Sequence, residues 1–511
     1  MCASDGQPIE SHNASLPVYP DLAGLPTNIE LNSVSPQRNL SKGNDDDPFL
    51  VSLVSSTDPL NPKNWSTDKK WAVTDVLSAT GFNRIMVSTI MAPALSLISN
   101  ELDMSSTESA MALSIYLLAT AIGPLLIGPL SEVYGRKPIL HGSNIWFLAW
   151  NLVCGFANSK ELLIAARFLA GFGASAIYAL ASGVLGDVWR NQERGRSLGA
   201  YLLIPLLGGA VGPIIGGFMA GRTTWRWMFW STSIFQAAMI LVSFSVFDET
   251  HAPTILRKQA EKLRRETEDS RYQTVEERLH EHQSPWSVLG KAFTRPVRLL
   301  ALHPIIQIGS IVSAFDYGIL YIVLSTFSSL WTDQYGVSVE LSGLHYVAIA
   351  LGEIAGSQIT AFLMDRLHKR QSRFRTPEPE SRLPLTLLGA TMAPVGLFLY
   401  GWAAAHRLHW AIVDLGILVA LFGLQSTGMP MQAYIIETYP EHISSAAAAS
   451  QLLRSLTAFC FPLFAPRMYT VLGYGWANST LAFAGLVLGV PAPFGLWWVG
   501  GRLRGRMRES Y

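Results

Sequence analysis

Runs of about twenty predominantly apolar residues recur along this chain, and a run of that length crosses the hydrocarbon core of a bilayer as one helix. Lipid offers no water to backbone N–H and C=O groups, so such runs must fold as helices that satisfy their own hydrogen bonds. Twelve segments are predicted: 71–96, 108–130, 140–157, 161–184, 197–221 and 225–247, then, beyond a charged stretch, 299–330, 341–363, 383–404, 410–433, 446–470 and 477–499. Charge is thin to match, at 15% of 511 residues, against about 25% in soluble domains. The expected fold class is an all-α membrane protein of twelve transmembrane helices in two six-helix bundles.

Lys and Arg set the orientation, because short cytoplasmic loops retain positive charge. With both termini inside, 25 of them lie on the even-numbered connections and the C-terminal tail, whereas only Lys160, Arg222, Arg226, Arg407 and Arg467 lie on the opposite side. The predicted organisation is a cytoplasmic leader over 1–70, a first bundle over 71–247, a charged cytoplasmic linker over 248–298, a second bundle over 299–500 and a basic cytoplasmic tail over 501–511. Residues 1–62 are rich in Ser, Asn, Asp and Pro without helical period and read as disordered. Within the linker, 255–282 can form a surface helix. A faint repeat relates the halves: RTTWRWMFWST opens span 6 and LGYGWANSTLAF opens span 12.

Three strings carry mechanism. GPLSEVYGRKPIL at 128–140 joins spans 2 and 3. Gly128 permits a close helix crossing, Gly135 a tight turn, and Glu132 a pairing with Arg136 or Lys137, so the cluster can act as a latch. GGAVGPIIGG at 208–217 sets Gly208, Gly212 and Gly216 four apart on one face of span 5, with Pro213 and Gly217 beside them; the face invites close packing and the proline a bend. Span 4 carries Arg167, a charge that needs pairing or hydration inside a membrane. It cannot shed its proton at physiological pH, so it acts on a neighbouring acid or holds carbonyl groups. Arg84, Asp316, His345, Glu353, Asp414 and Arg454 also fall within apolar runs; salt bridges between spans compete with transport roles for each.

From Asp58 to Arg508 the chain resembles the fungal twelve-span drug:proton antiporter branch of the major facilitator superfamily. The loop at 128–140 is similar to the superfamily's signature, with Glu132 replacing the usual Asp, and 208–217 is similar to its G-x-x-x-G-P-x-x-G-G antiporter motif. DPLNPKNWS at 58–66, WRWMFW at 225–230, DETHAPTILRKQAEKLRRET at 248–267, YGILYIVLSTF at 317–327 and AYIIETYPEHISSAAAA at 433–449 also match. The resemblance implies alternating access and efflux of drugs or secondary metabolites in exchange for protons. It implies proton coupling through Arg167, Asp316 and Glu353, and a cavity to which Arg84, Asp316, Tyr317 and Gln425 contribute, with Arg84 and Asp316 facing each other across it or facing the substrate. It implies a cytoplasmic gate of Gly128, Glu132, Gly135, Arg136 and Lys137, matched in the second half by Asp365 and Arg366, where Ala361 stands in place of the usual glycine. Arg84 in mid-span is foreign to the branch and suggests an anionic or carbonyl-rich substrate.

Expected partners are a small-molecule substrate, protons and the bilayer, with no nucleic acid and a monomeric state. No cofactor, metal site, nucleotide-binding loop or catalytic constellation is legible, so an enzyme is not expected. Cys2, Cys154 and Cys460 have no metal or disulfide spacing. Of four N-x-[ST] strings only Asn478 is expected outside, as a weak glycosylation candidate. A facilitator or proton symporter for uptake, and a non-transporting sensor, stand as alternatives. The plasma membrane is the expected location, with the vacuolar membrane open.

Overall fold

The computed structural model describes residues 49–52, 58–279, 285–371, 379–439 and 443–508. All of them belong to one compact unit, Pro48–Tyr511. Span 1 runs Thr67–Thr89, tightens through a 3-10 turn and ends as Leu95–Glu101; spans 2 and 3 are Ser106–Tyr134 and Arg136–Gly155. Span 4 is Lys160–Ala174 continued by Ala176–Val188, span 5 is Asn191–Arg222 and span 6 is Arg226–Val246. Spans 7 to 10 are Pro304–Ser329 with a π-turn over Leu330–Gln334, Val339–Gln371, Leu383–Ala405 and Trp410–Thr438. Spans 11 and 12 share the helix Ile443–Gly489, which breaks at Gly473 (φ 69°), and span 12 continues as Pro491–Arg508.

Short polar residues set several starts. Ser66 accepts a hydrogen bond from the Lys69 amide, Ser159 from that of Leu162, and Ser105 with Glu108 closes a reciprocal capping box, each satisfying amides that a helix start leaves orphaned. One predicted boundary is corrected. Span 7 starts at Pro304, not 299, and residues 299–302 belong to a separate helix, Pro285–Leu302. The apolar stripe is continuous through the junction, but Pro304 cannot donate to a preceding turn and opens a new helix instead.

The leader is also more ordered than expected where it is described. Leu50–Val51 pair in parallel with Gln273–Thr274, Phe49 packs edge-on to Tyr272 with the Arg271 guanidinium 3.9 Å from its ring centre, and Pro62–Asn64 form a 3-10 turn. The rest of the leader up to 48, and 53–57, lie outside the described residues. The predicted linker helix over 255–282 is realised as Ala252–Thr267; beyond it the chain forms the strand Gln273–Thr274 and a short helix, Val275–Leu279, and residues 280–284 lie outside the described residues.

Close packing uses small residues, as it must where lipid tails are as apolar as leucine. A Cβ added to Gly216 of span 5 would fall 1.9 Å from the Ile90 carbonyl oxygen of span 1, and one on Gly208 would fall 2.4 Å from that of Phe82. Spans 9 and 10 repeat the device: a Cβ on Gly396 would meet the Ala420 amide nitrogen at 2.1 Å, and one on Gly423 that of Ala393 at 2.2 Å. The two halves meet along spans 2 and 11 and along spans 5 and 8. Thr120 and Ser455 hydroxyls lie 3.2 Å apart at mid-span. On the side away from the linker, Ser328 donates to the Pro93 carbonyl at 3.0 Å, Arg222 pairs with Glu340 at 3.6 Å, and a Cβ on Gly217 would stand 3.0 Å from the Gly343 Cα. That side is closed.

Candidate functional site

Arg167 is fully buried at the centre of the first half. Its guanidinium donates to the carbonyls of Val87 (2.8 Å) and Ser88 (3.5 Å) in span 1 and of Ala112 and Leu113 (both 3.2 Å) in span 2, and it lies 4.8 Å from the Tyr116 ring centre. Of the two roles the sequence allowed, the contacts are those of the carbonyl clamp; none of its partners is an acid. Tyr116 passes the link on by donating to the Arg84 carbonyl at 2.9 Å.

Arg84 does not face a cavity. It is 1% exposed, bonded to the Ala174 carbonyl and the Asn144 side chain, and set against the Phe147 ring. It is therefore an internal brace between spans 1, 3 and 4 and does not meet Asp316. An isolated charge this deep requires pre-placed dipoles, and Asn144, itself bonded to Gln236, is the polar residue that supplies one.

The cation within electrostatic reach of Asp316 is Arg454 of span 11, with no direct ion pair between them. Its guanidinium lies 4.5 Å over the Tyr317 ring, and span 11 is tied to span 7 by Thr457 donating to the Ala314 carbonyl at 2.6 Å. One carboxylate oxygen of Asp316 is buried without a hydrogen-bond partner. Tyr317 packs against Tyr321 at 5.3 Å between ring centres, and Tyr321 lies near Ser88 of span 1. Facing them from span 4, Tyr178 is 38% exposed and within electrostatic reach of Tyr317 and Arg454. An acid, a cation and three phenols thus converge where the halves meet. Such a set can bind a polar aromatic molecule through ring faces and hydroxyls, and can exchange a carboxyl proton against it. Tyr178 and Tyr321 escaped the sequence reading. A bulky phenol within AGFGASAIYALASG, otherwise a run dominated by small residues, was the available signal. Gln425 lies at the crossing of spans 8 and 10, where a Cβ on Gly356 would stand 2.9 Å from its own, and Glu353, half-buried, is on the same stretch of span 8.

The loop at 128–140 forms a different network from the one expected. Glu132 is exposed and makes no ion pair among the described residues. Arg136 instead pairs with Asp187 of span 4 at 3.5 Å and bonds the Ser131 hydroxyl, while Lys137 pairs with Asp248 at 3.5 Å. Glu249 accepts from the backbone amides of Arg136 and Lys137 at 2.8 and 3.2 Å, an anion seated on a helix start. Gly135 takes φ 96° there, and a Cβ on it would meet a Glu249 carboxylate oxygen at 2.4 Å. Lys69 beside Asp248, bonded at 2.6 Å, holds that carboxyl below the usual range. Gly128 makes no tight crossing, since its added Cβ would find only the Ala179 Cβ at 4.0 Å; spans 2 and 4 press together earlier, at Gly123, where Ser175 Oγ would be 1.9 Å away. Asp365 and Arg366 are exposed. Asn478 is buried, accepting from Tyr469 at 3.1 Å and donating to the Tyr474 carbonyl at 2.9 Å, so its amide is not presented at the surface in this fold.

The sequence profile described as Major Facilitator Superfamily matches residues 77–462. A probable efflux pump, mfs2, of Aspergillus flavus is 54% identical over 424 residues, 83% of this chain and 100% of that protein. Efflux pump vrtL of Penicillium aethiopicum is 42% identical, over 90% of this chain and 91% of its own length. Among solved structures, a D-xylose-proton symporter superposes with a TM-score of 0.63 at 16% identity, over 84% of this chain and 97% of that one, a likeness of fold alone.

Proposed function

The chain belongs to the major facilitator superfamily, and from that premise we propose that it couples efflux of a small organic molecule to inward movement of protons. It is a multi-pass membrane protein of the fungal efflux-pump branch, and its relatives over most of the chain are named efflux pumps. In this reading both termini and the linker face the cytoplasm, which the Lys and Arg distribution supports, in a monomer of the plasma membrane. The side opposite the linker, closed by Arg222–Glu340 and Ser328–Pro93, is then the outer side.

One observation carries the coupling: Asp316, with a buried unpartnered oxygen, lies within electrostatic reach of Arg454 in the inter-half site. A protonated Asp316 leaves Arg454 free to hold an electron-rich group of the substrate; an ionised Asp316 competes for it. Binding one then favours releasing the other, which is what exchange requires. Arg167 serves this cycle by holding spans 1, 2 and 4 as one body, and the Arg136 and Glu249 cluster ties the ends of spans 2, 3 and 4 to the linker. No catalysis is part of this scheme.

Purified protein in proteoliposomes with an imposed pH gradient tests it. A panel of hydrophobic aromatic compounds is added, and the internal pH is followed. A compound that dissipates the gradient only with the protein present, and no longer with Asp316→Asn, supports exchange. Equilibration of compounds without proton flux would make the protein a facilitator.

A further inference from the structure

Away from the inter-half site, a groove of about 980 Å³ runs down between the outer ends of spans 8 and 10, with its mouth at the loops that carry Tyr335, Arg407 and His409. Its walls include Leu344, Val347, Leu415 and Leu418, and in it His345 of span 8 meets Asp414 of span 10, Nδ1 to Oδ2, at 2.8 Å. The imidazole lies flat on the Trp331 ring, 3.6 Å between centres with 8° between planes. Its second nitrogen, Nε2, makes no hydrogen bond among the described residues, and the residue lines the groove. This is a titratable pair lining an open groove near the outer ends of its two spans while the way between the halves is shut.

Its place on span 8 gives the pair leverage. The same short stretch provides Glu340, paired with Arg222; Ser342, bonded at 3.1 Å to the Ser328 that reaches Pro93; and Gly343, against which Gly217 packs. His345 follows these within about a turn and a half of the same helix, at about 1.5 Å rise per residue. The outer closure therefore rests on a helix end that the His345–Asp414 contact ties to span 10.

We propose that the His345–Asp414 pair binds a proton from the external medium and that its occupancy favours the outward-closed state. A neutral imidazole gives Asp414 one hydrogen bond; the imidazolium adds full charge pairing at low local dielectric and a cation–π contact with Trp331, so protonation tightens spans 8 and 10 in the arrangement seen here. The other titratable or charged groups facing the pair are Tyr335 (hydroxyl bonded to the Leu408 carbonyl at 2.9 Å), Arg407, His409 and Tyr400. Arg407 is exposed at the mouth and screened by solvent, and the two phenols stay neutral through the acidic range. His409 lines the same groove, its ring 5.2 Å from that of Trp410, which His345 meets at 6.0 Å; of the groups here, Asp414 is the one hydrogen-bonded to the His345 ring. Asp414 is thus the partner that senses the charge on His345. The inference takes its outer side from the orientation proposed above but does not depend on Asp316.

The test uses the full chain in nanodiscs, with Cys2→Ser and Cys460→Ser and spin labels at Thr224→Cys and Ser338→Cys, on the outer ends of the two halves. As pH falls from about 8 to 5, the short-distance population should rise severalfold in the parent protein. His345→Gln, which keeps a donor and cannot titrate, should abolish the rise, and Asp414→Asn should weaken it. A parent without a pH response, or a His345→Gln protein that retains it, overturns the proposal; if His345→Gln does not fold, an undiminished response in Asp414→Asn does so instead. Proton flux driven by substrate is measured in parallel. Its absence alongside an intact, His345-dependent distance change would sink the antiport reading and leave this one standing.

Discussion

Arg167 collects four carbonyls from two neighbouring spans, and only a planar fork of five donors can reach all of them at once. Lysine at this position keeps the charge and loses the geometry. Arg167→Lys is expected to destabilise the protein by about 2–3 kcal/mol, the range for hydrogen bonds to a buried charged group, and to cut export about tenfold or more. Thermal unfolding of purified protein and efflux from vesicles check the two effects separately. An unchanged midpoint with lost export would mean that Arg167 acts on the substrate or the proton and not as a clamp. The residue's importance was legible in the sequence, because a lone charge in an apolar run demands an account. Its partners were not, since they are backbone oxygens, which every residue possesses. Arg84 shows the same limit. Span 1 is buried around most of its circumference, so no apolar stripe told which way the side chain points, and its inward bond to Asn144 emerged only from the fold.

Among the elements, span 5 is the one whose packing was most readable, because glycines four apart define a face without reference to anything distant. Gly216→Ala should disrupt it: the added methyl would lie 1.9 Å from a backbone oxygen that cannot step aside. Gly142→Ala meets nothing within 4 Å and should be neutral or stabilising by up to about 1 kcal/mol through helix propensity. Yield of monodisperse protein and its thermal midpoint distinguish the pair, and equal tolerance of both would refute the close contact of spans 1 and 5. The Ala252–Thr267 helix was harder to place, because what docks it is remote in sequence. His251 at its start bonds Thr254 at 2.9 Å, and burial, followed by the nearby Arg136 charge, pushes the imidazole down to about 4. The undocked histidine, at an ordinary 6.5 or so, binds protons more readily than the docked one. Docking is therefore at full strength above the undocked value, weakens as pH falls through the window from about 6.5 to 4, and levels off below it. Hydrogen exchange of this helix, corrected for intrinsic rates, should accelerate from pH 7 to 5, and His251→Gln should flatten the dependence.

For the molecule as a whole, the count of spans and the division into halves follow from bilayer thickness acting on a long chain, which is why they could be read directly. The state of the gates could not, because alternating access requires one sequence to support two packings, and only a structure selects one. Here the outer ends of spans 5 and 8 are in contact, and a Cβ on Gly221 would fall 2.1 Å from the Glu340 Cγ. Cysteines at these two positions, Gly221→Cys with Glu340→Cys, bring their Cβ atoms close to the separation that a disulfide bridges, about 3.5–4.5 Å, once the Glu340 side chain is shortened. Oxidation should hold the outer side shut. If export proceeds by rocking of the halves, the oxidised protein still binds substrate from the linker side, transports none, and recovers when a reductant is added, while each single-cysteine protein is indifferent to both treatments. Transport at the parent rate with the cross-link verified by mass spectrometry would show that substrate leaves by a path that does not open between spans 5 and 8, and the lateral groove beside His345 would become the first place to look for it.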